Sequence, residues 1–61
     1  RTAAIEIDAS QATWFDAFAL GVLDQIHGKL LGEGTLGLRI VKLNEKVRRQ
    51  LERNELHYLI G

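Results

Sequence analysis

The sequence predicts an α/β fold, a two-layer β-α-β-α arrangement with parallel strands and both helices on one face. Three observations carry that expectation. Apolar and polar residues alternate at Ile5–Asp8 and again from Leu36 to Val41, the two-residue period of a strand with one buried face. After each stretch the apolar spacing changes to three and four residues, the period of a helix packed on one side. A carboxylate or amide, Asp16 or Asn44, stands near where each helix would begin, placed to accept from the free N–H groups of a first turn.

The first strand is expected at about residues 3–8, where Ile5 and Ile7 alternate with Glu6 and Asp8. Ser10, Gln11, Ala12 and Thr13 read as a connector. Beyond Asp16 the apolar residues Ala19, Val22, Leu23, Ile26 and Leu30 fall within about 100° of one another on a helical wheel. Phe18 and Leu20 flank that stripe, and His27 sits at its edge. Gly32 suits the left-handed position that ends a helix.

A second strand of about seven residues follows, with Leu36, Leu38 and Ile40 alternating with Gly37, Arg39 and Val41. Asn44 then caps a second helix in which Val47 and Leu51 form a narrow apolar stripe. Glu45/Arg49 and Arg48/Glu52 stand one turn apart, each pair adding a few tenths of a kcal/mol. Asn54 or Glu55 ends this helix, and Leu56, Tyr58, Leu59 and Ile60 make an apolar tail that must pack on something. Two strands joined through a helix run parallel, with a right-handed crossover in about 98% of cases. Each strand has polar residues on one face, which assigns both helices to the other.

Composition narrows the function classes. The chain has 61 residues, 46% of them hydrophobic, with eight Lys+Arg against eight Asp+Glu and no Cys, Met or Pro. A core of this size sits near the lower limit for a domain, and without cysteine neither disulfides nor thiolate-held zinc can support it. No apolar run approaches the roughly 20 residues that span a bilayer, so the segment is expected to be soluble. It begins at Arg1 in a strand-like pattern, and two parallel strands alone make a poor sheet. Residues 1–61 are therefore expected to be the C-terminal part of one domain, its missing strands supplied from upstream or by another chain. Charge is unevenly placed: five acids against two bases in residues 1–33, six bases against three acids in 34–61. Such a dipole can steer a partner without naming one.

Few motifs suggest chemistry. Gly32-Glu33-Gly34-Thr35-Leu36-Gly37 has the spacing of a dinucleotide fingerprint, but that motif needs a strand running into the glycines and a helix leaving them. Here the order is reversed, and a turn is expected. Lys42 to Arg53 is basic, yet acids are interleaved; a solvated face is the better reading, with an acidic protein partner as the other and nucleic acid disfavoured. His27 and His57 lie 30 residues apart, so no metal or cofactor is expected. Ser10 is the lone serine, and no nucleophile and base can be paired. Asp16 reads first as a cap, and second as a binding or switch residue.

Residues 4–23, A-I-E-I-D-A-S-Q-A-T-W-F-D-A-F-A-L-G-V-L, resemble the signature segment of the STAS domain, the family of sulfate transporter and anti-sigma factor antagonist domains. Asp8, Ser10, Thr13, Asp16, Leu20, Gly21, Val22 and Leu23 match without a gap. Downstream, Gly32 and Gly34 before a strand, and Val47 to Leu56, resemble the family's later segments, with Asn54 and Glu55 where the family turns at glycine. The resemblance covers nearly the whole chain but only the C-terminal part of such a domain.

What the resemblance implies is a non-catalytic, cytoplasmic regulatory domain. In the antagonists the serine after the motif aspartate is phosphorylated by a partner kinase; here that position is Ala17, and the next is Phe18. Alanine has no hydroxyl to carry a phosphate, and the resemblance favours the sulfate-permease-type transporter branch. The alternative is a soluble antagonist of an anti-sigma factor, binding it or a kinase without phosphate control. Either way the expected partner-binding residues are Trp14, Phe15, Asp16, Ala17 and Phe18, and the expected partner is a protein: the transporter's own membrane domain, or an anti-sigma factor or kinase. A homodimer or strand exchange is a further expectation; the membrane is met only through an attached transporter domain.

Overall fold

A computed structural model describes residues 3–61. The element order is β1 (Ile5–Asp8), α1 (Ala17–Gly32), β2 (Leu38–Val41), α2 (Glu45–Arg53) and a short 3-10 turn, His57–Leu59. β1 and β2 are parallel, with Ile5 beside Leu38 and Ile7 beside Ile40. The fold is thus α/β, as the alternating periods predict.

Leu38 and Ile40 are buried, and they share one core with Leu20 of α1 and Val47 and Leu51 of α2. Glu6, Asp8 and Arg39, on the opposite side of the pleat, are exposed. Both helices therefore pack on the apolar face, leaving a polar one. The C-terminal tail closes the core. Leu56 and Leu59 are buried, Ile60 bridges Ile40 in parallel, and the Gly61 N–H donates to the Ile40 carbonyl at 2.9 Å. β2 thus has neighbours on both edges, whereas the outer edge of β1 carries no strand among the described residues.

The helix caps are those the side chains predict. Asp16 accepts from the Ala19 N–H at 2.7 Å and Asn44 from the Val47 N–H at 2.8 Å. Three local expectations are corrected. The left-handed residue after α1 is Gly34, at φ 89°, while Gly32 is the last helical residue. β2 begins only at Leu38, because Gly37 at φ 87° breaks the extended backbone. Most consequential, α1 is rotated relative to the expected stripe: Leu20 is buried and Leu23, His27 and Leu30 are half-buried, but Ile26 is 41% exposed.

The cause of the rotation is His27. Its Nδ1 accepts the Leu38 N–H at 3.0 Å, which turns the imidazole toward the start of β2. Gly37 has the space for it: a Cβ there would lie 2.4 Å from the ring. Thr35 completes the turn, its hydroxyl donating to the Leu30 carbonyl and accepting from the Gly37 N–H. The glycine run is a helix-to-strand turn, as its neighbours imply. Of the two charge pairs expected on α2, Glu45–Arg49 forms, at 3.3 Å; among the described residues the other ion pair is Lys42–Asp8, at 3.7 Å, and not Arg48–Glu52. No helix of the described residues is long and apolar enough to cross a membrane.

Candidate functional site: the loop and helix start after β1

The segment that leaves β1 is pinned at both ends. The Ala9 N–H donates to the Val41 carbonyl at 2.8 Å, extending the strand pairing by one residue, and Ala12 turns back on the Ala9 carbonyl. The Ser10 N–H donates to Asp8 Oδ1 at 2.8 Å. The Ser10 hydroxyl, then that backbone bond and then Lys42, hold the Asp8 carboxyl below its ordinary range. On the α2 side, Asn44 Nδ2 donates to the Ala12 carbonyl at 3.1 Å.

Gln50 supplies the firmest hold. Its side chain is only 4% exposed, and its amide grips one backbone residue twice: Oε1 accepts the Phe15 N–H at 3.1 Å, and Nε2 donates to the Phe15 carbonyl. A buried amide is costly unless both ends are paired, so Gln50 and residue 15 fix each other. The sequence contained a signal for this, since Gln50 lies on the same side of the helical wheel as Val47 and Leu51 and is the polar residue of that face.

The five expected partner-binding residues are accordingly brought together in one turn of chain, but they face different ways. Phe15 is half-buried and packs against the core, serving as the anchor beneath the loop. Asp16 is exposed, with one carboxylate oxygen used as the cap of α1. Ala17 is exposed, Trp14 is 52% exposed, and Phe18 is 81% exposed. Phe18 lines a shallow depression of about 230 Å³ together with Ala17, Gly21, Val22 and Gln25. Ile26, two turns beyond Phe18 on the same side of α1, is 41% exposed. Gly21 has open space where a Cβ would stand, so no packing within the chain requires glycine there.

Among the described residues the titratable groups nearest this surface are engaged in structural contacts or exposed. His57 is exposed, and His27 is engaged as an acceptor for Leu38. Tyr58 bonds through its hydroxyl to Asp24 and lies with its ring 5.1 Å from that of His27. Asp24 holds the Tyr58 phenol in its neutral form, pushing its pKa up to about 12; that is the opposite of an activated phenolate. No protein-family profile, curated protein or solved structure matches the chain.

Proposed function

We propose that this chain is a non-catalytic protein-interaction domain of STAS type, attached to a sulfate-permease-like anion transporter at the cytoplasmic face of the membrane, and that the start of α1 docks on the transporter's membrane domain. The observation that carries this reading is Phe18. A phenylalanine left 81% exposed at the first turn of a helix, beside the half-buried Val22 and the exposed Ile26 of α1, is a large apolar group without an internal use, and such groups mark contact surfaces when they cluster. Gly21 supports it by leaving room for a partner's backbone beside the ring. The capping role of Asp16 presents Phe18 at a fixed angle, and the methyl of Ala17 makes the site independent of phosphorylation.

The test is association of the protein with the detergent-solubilised membrane domain of the transporter. Phe18→Glu should weaken it at least tenfold while far-UV circular dichroism is unchanged. Asp16→Asn, which retains a capping oxygen, should bind as the parent does. Unchanged association of Phe18→Glu discards the docking surface; association with an anti-sigma factor in place of the membrane domain moves the protein to the soluble antagonist class.

A further inference from the structure

A second surface lies on the other side of Trp14. The indole and the α2 residues Glu45, Lys46, Arg49 and Arg53 line an open groove of about 400 Å³. It sits beyond the carboxyl ends of the two parallel strands, where the loop after β1 meets the helix after β2, and open α/β sheets bind ligands at that end.

The groove is built from both sides. Gln50, one turn from Lys46 and from Arg53 on α2, holds the Trp14–Phe15 peptide through its buried amide, so one side chain sets the indole's place relative to the cations. Lys46 Nζ stands 5.2 Å from the indole centroid, and Arg49 is held by Glu45 at 3.3 Å. Neither Lys46 nor Arg53 is within ion-pair distance of a carboxylate among the described residues. At 1.5 Å per residue the three cations span about 10 Å along one side of α2.

We propose that this groove binds an acidic, partly apolar segment of a protein partner in extended form, resting on the reading of the chain as an interaction domain. Charge complementarity selects the occupant. Carboxylates two residues apart on an extended segment lie about 7 Å apart on one side, a spacing that fits within the reach of Lys46, Arg49 and Arg53. An apolar residue of the same segment covers the half-exposed indole, next to the lysine already stacked on it. Glu45 argues against a nucleic acid: a phosphate chain is charged at every step and must pass that carboxylate, whereas a peptide places an uncharged residue opposite it.

Trp14 is the one tryptophan in the chain and reports on the groove directly. The protein is titrated with a nine-residue peptide in which Asp and Glu alternate with Phe and Leu, following tryptophan emission. A saturable change is expected, weakening several-fold on going from low salt to about 0.5 M. Arg49→Glu and Arg53→Glu, both exposed positions, should each weaken binding at least tenfold with circular dichroism unchanged, and Arg39→Glu on the polar face of β2 should leave it alone. No change in emission up to about 1 mM peptide, an equal response to the peptide with Lys replacing its acids, an equal loss from Arg39→Glu, or tighter binding of a single-stranded oligonucleotide would each overturn the proposal. The titration contains no transporter, and its failure leaves the Phe18 experiment standing, as failure of that experiment leaves this one.

Discussion

Glu55 sits at φ 59°, the left-handed region, directly after the C-cap Asn54. The Leu56 N–H reaches back to the Leu51 carbonyl at 2.8 Å, the closing bond of a helix end that normally uses glycine at this position. A non-glycine residue there carries strain of about 1–2 kcal/mol, against roughly 0.5–1 kcal/mol for the extra freedom of glycine in the unfolded chain. Glu55→Gly should therefore raise stability by up to about 1 kcal/mol, read as a higher urea midpoint at unchanged slope; a lower midpoint contradicts the helix-end geometry. Tyr58 gives a second test at this scale. It is the one tyrosine in the chain, and its phenol is raised from 10 to about 12 because the neutral form donates to Asp24. A raised pKa means that this bond supports the fold fully below pH 10 and is lost as pH rises toward 12. Titration at 295 nm should give a midpoint well above 10, and Asp24→Asn should bring it down; a parent midpoint at 10 removes the bond.

The elements were legible in the sequence to the extent that local rules decide them. Asp16 and Asn44 mark both helix starts because a capping oxygen serves N–H groups only two or three residues away, and the alternation of Ile5 to Asp8 marks a strand because its period differs from a helix's. What was not legible depends on contacts between elements. α1 is apolar over a wide arc that runs from Leu20 through Leu23, Leu30 and Ile26 to Phe18, and nothing within the helix says which part faces the sheet. The bond from Leu38 to His27 Nδ1 decides it, and that bond joins residues 11 apart across a turn whose shape depends on two left-handed glycines, Gly34 and Gly37. Gly37→Ala combines a φ of 87° with a Cβ 2.4 Å from the imidazole. A loss of at least about 2 kcal/mol is expected from strain and displacement together, and thermal unfolding unchanged within a degree would contradict the turn. The contact of the loop with α2 was hidden for the same reason, since Gln50 and Phe15 are 35 residues apart. Gln50→Ala should cost about 1–3 kcal/mol by orphaning the Phe15 backbone groups, and should lower the emission anisotropy of Trp14. Anisotropy equal to the parent's would show that the loop holds itself.

At the scale of the whole molecule, one apolar face of a two-stranded parallel sheet is covered by two helices and a C-terminal tail, and large apolar residues remain exposed both away from the α1 cap, at Ile5, Leu31, Leu36 and Tyr58, and beside it. Trp14 and Phe18 flank the cap of α1, with Ile26 farther along the same helix. The acid-rich first half and base-rich second half of the chain meet at that corner, where the loop after β1 lies against α2. Apolar area lies on one flank of Trp14 and cations on the other, and the buried amide of Gln50 keeps the two flanks in register. Of the expected partner-binding residues, Trp14, Ala17 and Phe18 reach solvent, whereas Phe15 turns inward, its backbone held by Gln50. The most direct measurement is a titration of the 15N-labelled protein with the membrane domain of the proposed transporter in nanodiscs, following every amide. The resonances of Trp14, Ala17, Phe18 and Val22 should broaden first while those of Glu6 and Arg39 persist; broadening that begins on the Glu6 and Arg39 face, or a spectrum that does not change, would contradict docking through the start of α1.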